Sequence, residues 1–556
     1  QKQVFGINKS TRCQTVSNQQ YCKTKSGRPR RRSSINICMP KKDVLLINIP
    51  LTEVRRPPAA VYHLKGQLEA GGTVTCKAVD ACVILYNQMK DKWSDVMYNL
   101  DFGNMDPDPI LFKEISEKLN VIVDREIQET DPTWIGVSIF SINSTRIGEA
   151  TLRFIKSKYP NKKVLIGGTG LGDALGDTKF EYANAMLDRG YCDYFITGEA
   201  EVAIVELICK NNPNAVGINR PPKQIQNLEG LAFANYEDCN HDLYPWREQD
   251  HGETIHYTIT GSRGCVRRCD FCDIYRLWPK FKTRGGEHIA KEMIHHYENS
   301  GVTAFYMSDS LVNGSMKAFR ELYTTLLEYK QNYEVNFNWG GQFIARTESQ
   351  MGIEDYKLAR ESGFTNSGWG LEHASERIRK LMRKGFNDDA VEDTLRNHSK
   401  AGISTMINFL FGHPLETEED FLENVKFLYK YQKYNLDGTI ASLNLQKYLM
   451  FLPGTDFFDA KYDMVEDINK QFWKTKPHLN TLTFREVYYR RKKISEISKE
   501  LGYKTQSEDV FMSTMERDFA RWKYNEEFNC LNEVNDNFDK EDDTVHNFIK
   551  QLEVTI

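Results

Sequence analysis

Gly261-Ser262-Arg263-Gly264-Cys265-Val266-Arg267-Arg268-Cys269-Asp270-Phe271-Cys272 gathers three of the chain's twelve cysteines within eight residues. It directly follows Tyr257–Thr260, a run that reads as a strand. In a large chain without secretory features, a tight cysteine cluster more often binds metal than forms disulfides. With the spacing CxxxCxxC, each of three thiolates on one loop can ligate one iron of a four-iron cluster. The fourth iron then stays open to an outside ligand. A fourth cysteine nearby would favour electron transfer, but the next is Cys530. The competing reading is a zinc site, which needs a fourth donor. His288 and His295 are the nearby histidines that folding would have to bring in.

On the C-terminal side of this loop the sequence alternates strand and helix patterns. Further strands are expected near Ala304–Met307, Asn336–Trp339, Ser367–Gly370, Thr405–Phe411 and Leu443–Leu449. Six βα-like units over residues 254–456 predict a full or partial (β/α)6 barrel. Residues 457–556 read as a helical C-terminal region. On the N-terminal side, residues 43–214 form a second α/β series. Its strands are expected at Val44–Ile49, Val74–Val79, Trp134–Ile139, Val164–Ile166 and Tyr194–Ile196, with helices near Ala59–Glu69 and Ile147–Lys158. Such alternation predicts a Rossmann-like open parallel sheet whose ligand sits beyond the carboxyl ends of the strands. Gly167, Gly168 and Gly198 fall at those ends, where they serve either a ligand or merely a tight turn. Residues 215–253 are irregular and read as a linker.

The cysteine loop resembles the signature of the radical S-adenosylmethionine (SAM) superfamily, including the aromatic Phe271 before the last cysteine. Further short matches follow in order: Met307-Ser308-Asp309-Ser310, Gly370-Leu371-Glu372-His373-Ala374-Ser375, Phe411-Gly412-His413-Pro414-Leu415-Glu416-Thr417 and Pro453-Gly454-Thr455. Ala374 and Leu415 depart from the family pattern. The resemblance implies that Cys265, Cys269 and Cys272 hold a [4Fe-4S] cluster. It also implies SAM contacts at Phe271, Ser308, Asp309, Gln342, Arg346 and Glu372. One electron from the cluster would split SAM into methionine and a 5′-deoxyadenosyl radical. A flavodoxin- or ferredoxin-like reductant would supply the electron. The plainer alternatives are a surface ion pair for Arg346 and a helix cap for Glu372. His373 and His413 are candidate proton carriers by residue type alone.

In that superfamily an open-sheet domain ahead of the barrel often resembles a cobalamin-binding domain. The residues implied here are Ser138, Ser141, Gly167, Gly168, Gly198 and Glu199, the last two in a Gly198-Glu199-Ala200-Glu201 turn. The DxHxxG motif of cobalamin carriers is absent, so no histidine is offered by sequence as a lower axial ligand. The reaction implied is methyl transfer to an unactivated carbon. The alternatives are a non-methylating rearrangement or cyclisation in a protein that has lost cobalamin, and a nucleic-acid-binding role.

That last alternative rests on the N-terminal arm. Residues 1–42 carry eleven Lys and Arg and no Asp or Glu, which leaves the rest of the chain at a net charge of −15. The arm lacks apolar periodicity and reads as disordered. Residues 23–32, around Gly27-Arg28-Pro29, resemble an AT-hook and allow a weak nucleic-acid contact. The acidic body argues against binding a phosphate backbone. Apolar runs are too short to cross a bilayer and no signal-peptide pattern appears, so a cytoplasmic location and no membrane contact are expected.

Overall fold

The computed structural model describes residues 42–101, 107–171, 179–220, 223–245, 255–446, 449, 455–456, 484–506 and 545–552. The basic arm, and Pro453 and Gly454 of the last motif, lie outside them.

Two parallel sheets organise the chain. The first holds β1 (Val44–Asn48), β2 (Cys76–Asp80), β3 (Trp134–Ser138), β4 (Lys163–Gly167) and β5 (Tyr194–Ile196) in the order β2-β1-β3-β4-β5. β1 is buried along its whole length, as an inner strand covered on both faces must be. The chain leaves β1 toward β2 on one side and returns to β3 on the other. That reversal opens a crevice beyond the carboxyl ends of β1 and β3.

The hairpin strands β7 (Ser262–Arg263) and β8 (Lys282–Thr283) stand apart, antiparallel to each other. The second large sheet holds β6 (His256–Ile259), β9 (Ala304–Met307), β10 (Asn338–Gln342), β11 (Phe364–Glu372), β12 (Ser404–Phe409) and β13 (Ile440–Leu445). Its strands lie in sequential order from β6 to β13, all parallel. Among the described residues β6 and β13 do not pair with each other, so the barrel is partial. Instead β13 is met by the segment after the helix Phe484–Glu500, where Gln506 donates to the Leu443 carbonyl at 3.0 Å.

Several expected bounds shift: β11 starts at Phe364 rather than Ser367, and β13 is Ile440–Leu445 rather than Leu443–Leu449. β10 runs to Gln342 rather than ending at Trp339, because glycine is a poor strand signal. Here Gly340 permits close approach: a Cβ on it would lie 2.3 Å from Asn366 Oδ1 and 2.5 Å from the Asn366 carbonyl. A long helix, Pro109–Thr130, also covers the first sheet unanticipated. Asp108 caps it by accepting from Ile110 and Leu111 N–H.

The segment after residue 214 is irregular, as expected, but closely packed. Asn235 N–H donates to the Tyr62 carbonyl at 2.9 Å and Asp238 pairs with Lys65 at 2.5 Å. The helix Ala59–Glu69 is thereby held between the two sheets. Among the described residues no helix is long and apolar enough to cross a membrane.

Candidate functional site

The cysteine loop is clipped at its base by the β7–β8 hairpin. Gly264 lies in the left-handed region (φ +79°), and a Cβ there would sit 2.9 Å from the Lys280 carbonyl. The clip therefore closes only with glycine. Cys269 is buried, Cys265 and Cys272 half-buried, and all three are free thiols. Burial pushes all three thiols up, Cys272 to about 12. Two cations oppose this at Cys265, Lys384 and Arg267. The Arg267 N–H also donates to Cys265 Sγ at 3.3 Å. Among the described residues no three His, Cys, Asp or Glu side chains converge to hold a single metal ion, as a mononuclear zinc site requires.

Opposite the cysteines, Glu372 ends β11 with φ +65°. Its carboxylate folds back over the strand, so that a Cβ on Gly370 would meet it at 1.9 Å. Lys384 Nζ lies 2.9 Å from Glu372 Oε1. Burial works against the ammonium, but the Glu372 carboxylate holds it protonated. Glu372 is thus not a helix cap. Ser375 caps the helix Glu376–Leu381 instead, accepting from Ile378 N–H. Among the described residues Arg346 makes no surface ion pair of the kind considered from sequence. Its Nη2 donates to the Asn313 carbonyl at 2.8 Å, and burial together with the Arg267 charge lowers its pKa.

The remaining residues implied for SAM divide. Ser308, beyond β9, shares a 2.9 Å hydrogen bond with Thr260 and faces a cavity. Asp309 is buried as a brace, accepting from Gly261 N–H at 2.8 Å, and burial pushes its carboxyl up to about 6. Gln342 closes β10, its carbonyl accepting from Val312 N–H at 2.7 Å. Phe271 packs half-buried against the core.

That cavity, of about 560 Å³, joins the two sheets. Ser138, Gly167, Gly168, Gly198 and Glu199 line it from the first sheet. Thr260, Ser262, Tyr306 and Ser308 line it from the second. Ser141 is not among its lining residues. Its carbonyl accepts from Ser144 N–H at 2.9 Å and opens the turn Ile142–Ser144. On the rim, Arg56 stacks 3.7 Å over the Tyr306 ring.

The group that ties the cavity to the cysteines was not foreseen from sequence. Arg263, two residues before Cys265, donates to Glu199 Oε1 at 2.8 Å and also pairs with Glu201. All three side chains are nearly buried, at 12%, 4% and 8% exposure. The second oxygen of Glu199 accepts from Ile225 N–H in the connecting segment. Burial would raise the Glu201 carboxyl, but Arg263 outweighs it and holds the group below its ordinary range. Both turns stand in the sequence, but nothing there joins them.

The two histidines singled out by type serve as internal fastenings. His373 Nδ1 accepts from Ser375 N–H at 3.0 Å, and its Nε2 lies 3.6 Å from Glu416. Glu416 in turn pairs with Arg490 of the helix Phe484–Glu500 at 3.0 Å. His413 Nδ1 accepts from Leu415 N–H at 3.2 Å, and burial lowers the pKa of this ring to about 4.

Residues 259–428 match the family model of the radical SAM superfamily. That segment holds the cysteine loop, the strand-end residues and most of the partial barrel, so the chain carries a radical SAM domain and is an enzyme. A putative methylthiotransferase of Methanocaldococcus jannaschii is 25% identical over 63% of this chain and 75% of its own length. Among solved structures, the radical SAM methyltransferase TsrM of Kitasatospora setae, with cobalamin and a [4Fe-4S] cluster bound, aligns at TM-score 0.52. It is 16% identical and covers 75% of this chain and 74% of its own. The cobalamin-dependent radical SAM enzyme OxsB with aqua-cobalamin aligns at TM-score 0.58. It is 14% identical and covers 83% of this chain and 67% of its own. At these identities the likeness establishes the two-sheet fold.

Proposed function

We propose that this protein is a cobalamin-dependent radical SAM methyltransferase acting on an unactivated carbon. The observation that carries the proposal is the cavity that runs from the switch point of the first sheet to Ser262 and Arg263 at the base of the cysteine loop. One wall presents backbone and small residues, as a bulky planar cofactor requires. The other ends at Ser262, Arg263 and Gly264, directly before Cys265.

The residues fit both groups. Buried neutral thiols become good ligands when a metal displaces their protons, and Lys384 and Arg267 stand ready to offset the charge that remains. The cavity wall includes His63, a buried histidine whose ring nitrogens have no hydrogen-bond partner among the described residues. Cys265, Cys269 and Cys272 would hold the cluster, and Gly167, Gly168, Gly198 and Ser138 would flank the cobalamin. When bound, the cluster supplies the electron that splits SAM, and cobalamin carries the methyl group between SAM and substrate. The protein's own part is to align them. Arg263 fixes the cysteine loop against the sheet edge, Asp309 holds Gly261 in place, and the Glu372–Lys384 pair balances charge beside the thiols.

Anaerobic reconstitution with iron and sulfide, followed by addition of hydroxocobalamin, SAM and a low-potential reductant, tests the reading. About four irons per chain, retained cobalamin and conversion of SAM to 5′-deoxyadenosine and S-adenosylhomocysteine are expected. Iron uptake and SAM cleavage without cobalamin retention would leave a radical SAM enzyme and remove the methyltransferase reading.

A further inference from the structure

His63 lies on the helix between the sheets, and its surroundings are unusual for an imidazole. One face of that helix is pressed against the connecting segment. Gly66 leaves no room there, since a Cβ would lie 2.0 Å from the Phe233 carbonyl, and Gln67 Nε2 donates to the Ala232 carbonyl at 3.0 Å. The other face presents Ala60, His63 and Leu64 to the cavity. His63 is 9% exposed, and among the described residues neither ring nitrogen has a hydrogen-bond partner.

The charged groups around it are Glu292, Glu201, Arg263 and Arg284. They are already committed to one another: Arg263 serves Glu199 and Glu201, and Arg284 serves Glu292. None is left to satisfy the ring. Burial lowers the imidazole's pKa, so near neutral pH it offers one N–H donor and one lone pair. Buried polar groups in folded proteins are almost always paired, and a cavity-lining histidine with both ring nitrogens unpartnered among the described residues points to the cavity's occupant.

We propose that His63 is a ligand-binding residue that contacts two carboxamide groups on the rim of the molecule filling this cavity. The ring N–H donates to the carbonyl of one amide, and the lone pair of the other ring nitrogen accepts from the N–H of the second. This rests on the cobalamin reading, because the corrin periphery of cobalamin carries such carboxamides. Axial ligation to cobalt is the competing role for a histidine here. A metal-ligating histidine almost always donates its second N–H to a carboxylate or carbonyl that orients the ring. Among the described residues His63 has no such partner, and the rim contact uses both nitrogens.

The test is titration of the full-length, cluster-reconstituted protein with hydroxocobalamin, read by equilibrium dialysis. Thermal unfolding of each unloaded variant serves as the control for folding. His63→Phe, which keeps a buried ring but removes both polar atoms, is expected to weaken binding about tenfold. His63→Gln, which restores a donor and an acceptor, is expected to recover most of that loss. Binding by His63→Phe within about twofold of wild type would overturn the assignment. So would a nitrogen-split cob(II)alamin resonance in the wild type that His63→Phe abolishes, since that would make the ring an axial ligand. If the wild type itself retains no cobalamin, the underlying reading and this assignment fall together. A deficit confined to His63→Phe concerns His63 alone.

Discussion

The sheet end of the cavity and the cysteine loop just beyond its other end are built from different materials. The first sheet meets it with Ser138, Gly167, Gly168 and Gly198, small groups that yield space and backbone. The cysteine loop is a compact electrostatic assembly: three half-buried or buried thiols, two cations that oppose the effect of burial, and Glu372 bent back to balance Lys384. A large planar cofactor is held mainly by shape, and its chemistry is its own. A cluster that must accept and pass an electron is tuned by the charges around it, so its site is built from ions. Arg263 belongs to both ends, since it sits beside the cysteines yet spends its charge on the first sheet.

The sharpest way to break this division is to remove a thiol. Cys269→Ala is expected to abolish iron uptake and SAM cleavage to background, while cobalamin retention persists. Iron content and bound cobalamin measured on the same sample check this, and loss of both together would show that the two ends are not separable. Next in size is Arg263→Gln, which leaves Glu199 and Glu201 buried without their cation. Removing one partner of such a group costs about 3–5 kcal/mol, read from urea unfolding. A loss under about 1 kcal/mol would mean that water already screens the trio.

Both sheets also brace their ligand ends with one buried aspartate, and there the comparison predicts sameness. Asp80 ends β2, accepting from Asn48 and Tyr244, and Asp309 follows β9. Burial, the largest influence on each, raises both carboxyls from 3.8 to about 6. Below about pH 4 each is protonated in folded and unfolded chains alike, and its contribution to stability is complete. That contribution is lost as pH rises through about 6, because the folded protein resists ionising the group. Each is worth up to about 3 kcal/mol. Asp80→Asn and Asp309→Asn should each flatten the fall in stability between pH 4 and 6, by denaturant melts across pH. A slope unchanged in one variant would show that its aspartate is better solvated than its burial implies. The smallest effect is expected from Lys384→Met. It removes a positive charge facing Cys269 and Cys272, so the reconstituted cluster should become harder to reduce, seen as a more negative midpoint in a redox titration.

Much of the fold is legible in the amino-acid sequence. The strands declare themselves through short runs such as Val44–Asn48, every residue of which is buried, and the helix Ala59–Glu69 begins directly after its proline pair. The cysteine loop stands out because its three thiols are neighbours in sequence. The rest of the site is made of encounters across the chain. Arg263 finds Glu199 across 64 residues and Glu201 across 62, and Arg490 finds Glu416 across 74. No local pattern marks either meeting. His63 is invisible in the sequence for a related reason. Its significance lies in what does not touch it, and periodicity shows only that a helix face is buried.

The Arg490–Glu416–His373 chain of contacts bears on how far the catalytic body extends. The segment shared with the superfamily stops at residue 428, but the countercharge of its buried Glu416 is delivered from residue 490. A fragment cut to the shared boundary would carry an interior carboxylate stripped of its arginine. The piece that kinship outlines is therefore electrostatically incomplete, and its closure comes from outside it.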